Sequence, residues 1–237
     1  MKITIHQPEY LPWLGFFDKV SQCELLVLLD QVPFTKNYFQ NRNQVRGFQG
    51  SVWMTVPVKT KERFNQLICE VEIDNVNPWR RKHLHTLMQN YRKAPFFDKY
   101  APFFNDFFQR EWSSLNELNQ DCIHYLLEQL GIQIKVLPAS TLKPEGKKSD
   151  LILDICKKVG ADTYLSGISG KEYLDESSFQ RNGIPILYQE FHHPIYQQLY
   201  DPFIPCLSVV DLLFNYGDKS LDVIRGIGVE TIEHLFQ

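Results

Sequence analysis

Three polar segments, each following an apolar run, carry the residues able to do chemistry. The first is Ile5-His6-Gln7-Pro8-Glu9-Tyr10-Leu11-Pro12-Trp13-Leu14-Gly15. Its two prolines hold the chain extended, and Gly15 lets a backbone or ligand come close. Backbone N–H groups at a helix start attract anions. His6, whose unperturbed pKa lies near neutrality, suits polarising a phosphate or acting as acid or base. Gln7 and Tyr10 stand beside it as substrate contacts. The plainer alternative is a stiff connector with a hydrogen-bonded core histidine.

The second segment is Asp30-Gln31-Val32-Pro33-Phe34-Thr35-Lys36 together with Asn41-Arg42-Asn43. Arg42 suits a bidentate grip on phosphate or carboxylate, and Lys36 is a point charge for the same ligand. Asp30 would orient the reacting group or hold Mg²⁺. A solvated loop with incidental charges is the alternative. The third segment, Leu165 to Asp175, sets Ser166, Gly167, Ser169 and Gly170 before Lys171, a pattern able to cradle an anion with backbone N–H groups. It is not a Walker A loop, because the glycine spacing differs and Glu172 follows the lysine. In His192-His193-Pro194, neighbours on an extended chain point to opposite sides, so the pair does not share one metal ion. His193 is instead the substrate-facing histidine, and no site with histidine or cysteine metal ligands is expected.

Positioning these segments requires strands that stop where they begin. Residues 2–6 read as a first strand, 14–22 as a helix, and 24–29 as an apolar run typical of a strand buried on both faces. That βαβ opening predicts a ligand site at the carboxyl ends of the strands. Residues 35–50 read as a polar loop, 52–58 as a strand and 67–73 as an edge strand. Residues 79–92 and 103–130 have helical periodicity, separated by Ala94-Pro95 and Ala101-Pro102. After Gly131 the pattern resumes: strands at 132–137, 162–166 and 184–189, a helix at 150–159 stopped by Gly160, a helix opened by Ser208 or Asp211, and a last helix at 218–226. The expected fold is a single α/β domain over 1–237, a mostly parallel Rossmann-like sheet with a helical insertion or lid at 78–131. Trp79, Tyr91 and Phe97 of that insertion would be core packing or a floor for a sugar ring.

Composition narrows the classes. A net charge of −3 with mixed signs argues against a nucleic-acid binder held by phosphate contacts. Five widely spaced cysteines without a CxxC pair read as free thiols in a reducing compartment. No stretch approaches the roughly 18 apolar residues of a membrane span, and the N-terminus lacks a signal peptide's apolar region. The expected location is the cytoplasm.

The stretches IHQPEYLPWLGFFDKV, LLDQVPFTKNYFQNRN, GADTYLSGISGKEYLDE and FIPCLSVVDLLFNYG resemble the WbqC-like proteins of bacteria along almost the whole chain. That resemblance implies a role in O-antigen or other surface-polysaccharide biosynthesis, with a nucleotide-activated sugar as substrate. The opening is also similar to that of the HIGH-type nucleotidyltransferases, with His6 and the SGISGK segment in the phosphate-binding places, although the second histidine of that pattern is absent. It implies a nucleoside triphosphate with Mg²⁺ as cofactor. Two functions remain open on the sequence: a transferase or ligase acting on a sugar nucleotide or amino sugar through His6, Asp30 and Lys171, with nucleotide-dependent activation of a carboxylate to acylate the amino sugar as one route, or a non-catalytic sugar-nucleotide-binding or scaffolding protein. The first requires His6, Asp30, Lys36, Arg42 and Lys171 to converge on one cleft.

Overall fold

The computed structural model describes residues 1–232. The chain opens with β1 (Lys2–His6), α1 (Leu14–Ser21) and β2 (Leu25–Leu28), the last buried at every position. A hairpin follows, β3 (Arg42–Gly47) and β4 (Gly50–Thr55), and then three helices, α2 (Trp79–Tyr91), α3 (Phe97–Gln109) and α4 (Leu115–Gln129). The sheet resumes with β5 (Lys135–Pro138), α5 (Ser149–Lys158), β6 (Thr163–Ser166), α6 (Glu176–Arg181) and β7 (Ile186–Tyr188). The short β8 (His193–Pro194), α7 (Val209–Tyr216), α8 (Ser220–Ile224) and β9 (Thr231–Ile232) complete the described chain.

The main sheet has the order β5-β2-β1-β6-β7, and all four pairings are parallel. The chain therefore builds outward from β1 through β2 to β5, then returns to the other side of β1 to lay down β6 and β7. Crevices for ligands form outside the carboxyl ends of parallel strands where the order reverses. Here that point lies between β1 and β6. This is an α/β fold of Rossmann-like arrangement.

Strand alternation sorts the apolar side chains into two cores. Ile3, Ile5, Leu25, Val27 and Leu29 face one side and pack with Ile152, Ile155 and Phe179 of α5 and α6. Leu26 and Leu28 face the other, larger core, shared with α1, the hairpin, α2 to α4, α7 and α8. The aromatic residues of 78–131 fill that larger core. Tyr91 stacks on Phe214 at 4.7 Å between ring centroids, and Tyr100 and Phe104 meet the same ring. Burying each such side chain contributes about 1.5–3 kcal/mol. Asp211 of α7, buried among them, accepts from the Tyr91 and Tyr196 hydroxyls at 2.8 Å each.

Several local expectations need correction. Residues 42–47, read as loop, form β3, because Asn43 and Val45 alternate inward against β4. The expected edge strand at 67–73 is a 3₁₀ turn at Ile68–Glu70 flanked by isolated bridges. The expected break at Ala94-Pro95 falls between α2 and α3, but Pro102 lies inside α3 and the second break comes at residues 110–114. Ser114 caps α4 there by accepting from the Glu117 N–H, which supplies a stronger boundary than one missing N–H takes away. Among the described residues no helix is long and apolar enough to cross a membrane.

Candidate functional site

A cleft of about 700 Å³ opens at the order reversal. His6 enters it from the end of β1, and Gly167, Ile168 and Ser169 from the loop after β6. Gln189 and Glu190 follow β7, while Trp13, Gly15, Phe16 and Lys19 come from the start and inner face of α1. Tyr38, Phe39 and Phe191 add apolar wall.

Lys19 faces the cleft because it stands three and four residues after Phe16 and Gly15, on one side of the helix. It is only 4% exposed. Opposite it lies Gly167, whose missing side chain would otherwise begin 3.9 Å from Lys19 Nζ. Among the described residues no carboxylate comes within ion-pair distance of that ammonium. Burial draws its pKa down to about 8, opposed by the carboxylate of Glu9.

Glu9 is 6% exposed, and its Oε2 has no hydrogen-bond partner. Burial pushes this carboxyl up to about 7, against the pull of Lys19. His6 Nδ1 lies 3.9 Å from Glu9 Oε1 and 3.0 Å from the Gln7 carbonyl oxygen. The imidazole packs edge-on against Phe16. Burial first, and the Lys19 charge second, pull its pKa down to about 3, so the ring is neutral. Three titratable groups thus meet in one cleft with their proton affinities displaced, the usual condition of groups that act on a ligand.

Gln189 spans the cleft floor. Its Nε2 donates to the Gly15 carbonyl at 2.8 Å and to Asp18 Oδ2 at 2.6 Å, tying the end of β7 to α1. Gly170 matters for packing. A Cβ there would stand 2.1 Å from Ser166 Oγ, so the 3₁₀ turn Ile168–Glu172 closes onto β6 only with glycine. Gly170→Ala should cost about 1–3 kcal/mol in urea unfolding, and adding Ser166→Gly should restore most of it. Equal midpoints for Gly170→Ala and the parent protein would mean the turn yields freely.

Of the five residues expected to converge, only His6 lines the cleft; of the other candidate site residues Gly15, Gly167 and Ser169 line it and the rest do not. Asp30 is fully buried under β5 and α4. Its Oδ1 accepts from the Ser140 N–H at 2.8 Å, and its Oδ2 from the Ser140 hydroxyl at 2.7 Å and Asn116 Nδ2 at 3.1 Å. Lys36 is exposed. The Arg42 guanidinium lies over Trp53 at 4.3 Å, and Lys171, also exposed, over Tyr188 at 5.2 Å. Asn41 and Asn43 are buried and donate to the carbonyls of Val56 and Leu11, fastening the hairpin. Tyr10 is buried against His83, and Gln7 accepts from Gln40. Ser166 donates to the Gly167 carbonyl beneath the loop. His193 is buried with Nε2 accepting from the Cys206 N–H, and it is His192 that lines the cleft. No residue of α2, α3 or α4 reaches the cleft.

Residues 7–223 match the family model described as the WbqC-like protein family. This chain belongs to that family. The uncharacterized protein Rv1507c of Mycobacterium tuberculosis is 31% identical over 226 residues, covering 94% of this chain and 97% of its own length. No solved structure matches the chain. In this WbqC-like protein the matched span holds every cleft residue except His6, which lies one position before it.

Proposed function

We propose that the cleft is the active site of a transferase or ligase of surface-polysaccharide (O-antigen) biosynthesis, acting in the cytoplasm on a nucleotide-activated sugar or amino sugar. The observation that carries this is the meeting of Lys19, Glu9 and His6 at the strand-order reversal. A binding protein needs no buried carboxyl with a pKa near 7, whereas a general base working at neutral pH does. In this reading Lys19 holds a phosphate or carboxylate, Glu9 takes the proton of the attacking group, and neutral His6 accepts a hydrogen bond. The aromatic wall covers the sugar or base. The family's association with glycan gene clusters supports the substrate class.

Carboxylate activation by a nucleoside triphosphate remains compatible with the phosphate grip of Lys19. A protein-held Mg²⁺ fits poorly. All the hydrogen bonds at Asp30 are internal, and among the described residues no three His, Cys, Asp or Glu side chains group as metal ligands.

The test is a thermal-shift screen of nucleotides and nucleotide sugars on the parent protein and on Lys19→Met. At a hundredfold excess over Kd a true ligand stabilises by about 2.7 kcal/mol. Loss of one charge-assisted contact should weaken it about 10- to 100-fold in Lys19→Met. A panel that leaves the parent's Tm unmoved, or shifts both proteins equally, sinks the proposal.

A further inference from the structure

We infer that the ligand carries a primary amine into this cleft, so that the sugar it takes is an amino sugar. The inference rests on the reading of the cleft given above and adds the group that is recognised. It follows from the direction of the hydrogen bonds that the cleft walls already make.

Consider Gln189. A backbone carbonyl only accepts, so the amide nitrogen, not the oxygen, must face Gly15. An amide nitrogen has two N–H groups, and the second is used on Asp18 Oδ2. The side chain cannot turn over without placing its oxygen against the Gly15 carbonyl and the Asp18 carboxyl. Gln189 therefore offers the cleft an acceptor, Oε1.

The same logic fixes His6. The Gln7 carbonyl 3.0 Å from Nδ1 only accepts, so Nδ1 carries the proton and Nε2 of the neutral ring is a lone pair. Glu9 adds Oε2, buried and without a partner. Three residues that line the cleft thus each keep an acceptor atom that their own hydrogen bonds leave over, beside the buried cation of Lys19.

That polarity selects a ligand. Lys19 answers the anionic end, leaving the acceptors to be met by donors. A hydroxyl has one O–H and satisfies one acceptor; an ammonium has three N–H groups. Each buried acceptor left unmatched costs free energy. N-acetylation would be rejected, because it leaves a single N–H and brings a carbonyl against the acceptors.

The experiment is calorimetric titration of the parent protein with sugar 1-phosphates bearing an amine, a hydroxyl or an acetamido group, with the substituent at C2 in one series and at C4 in another. All carry the same phosphate for Lys19. In at least one series the amine should bind about tenfold or more tighter than the hydroxyl, and its acetamido form should bind more weakly than either. In Gln189→Met that preference should fall, while inorganic phosphate binds as in the parent. Amine and hydroxyl binding alike in both series, with phosphate binding still lost in Lys19→Met, overturns the amine and leaves the anion site standing. Binding in which Lys19→Met matches the parent overturns the anion site itself. A full amine preference retained in folded Gln189→Met removes that residue from the recognition. The parent's own preference is decisive even where a variant fails to fold.

Discussion

A Glu9→Gln protein is expected to bind inorganic phosphate about as well as the parent and to turn a nucleotide-linked sugar over about 10²- to 10⁴-fold more slowly. The amide keeps the shape of the carboxyl but cannot take a proton. Phosphate binding should survive because Lys19, not Glu9, meets the anion. The pH dependence adds a second readout. Glu9 must be unprotonated to act, so kcat/KM should rise as pH increases through about 7. Lys19 must be protonated to hold the anion, so it should fall as pH increases through about 8. The parent profile is then a narrow bell between these values, and Glu9→Gln should lose the acid-side limb. Mass-spectrometric detection of the transferred group gives the rates. Undiminished turnover in Glu9→Gln would reassign the base.

Asp30→Ala should lose about 3 kcal/mol of stability, because the half-buried Ser140 N–H and the buried Asn116 amide would be left without an acceptor. Guanidinium unfolding measures the loss. The folded fraction should bind the same ligand with nearly the parent Kd, since Asp30 lies outside the cleft. A variant of parental stability that no longer binds ligand would instead put Asp30 in the site.

These two aspartate and glutamate results bear on what the sequence discloses. Apolar runs declare themselves, so the βαβ opening, the buried β2 and the returning strands were legible from spacing. The two segments that meet at the order reversal, around His6 and around Gly167, were legible as well, because strand ends aim them. Side-chain direction was not. Asp30 ends a buried strand, as a catalytic acid would, yet it points under the sheet end toward Ser140. Lys36, Arg42 and Lys171 sit in polar stretches that look functional, but Arg42 and Lys171 lie over aromatic rings outside the cleft, and Lys36 is exposed. Lys19 was hidden by the opposite bias: a lysine in the last turn of a helix usually serves the carbonyl ends. Its place on the Phe16 face was the available signal. Gln189 had none, since its role depends on a contact across more than 170 residues.

The sheet keeps two separately packed cores apart, and the walls of the cleft are divided between them. Trp13, Phe16 and Lys19 belong to the layer that carries the hairpin and most helices. The loop from Gly167 onward is anchored through Leu174 in the smaller layer. Across the gap runs the amide of Gln189, a stitch between two cloths. Each wall can therefore be recut by substitutions within its own layer, so that on the proposed reading sugar preference would drift over evolutionary time without disturbing the grip of Lys19 on the anion.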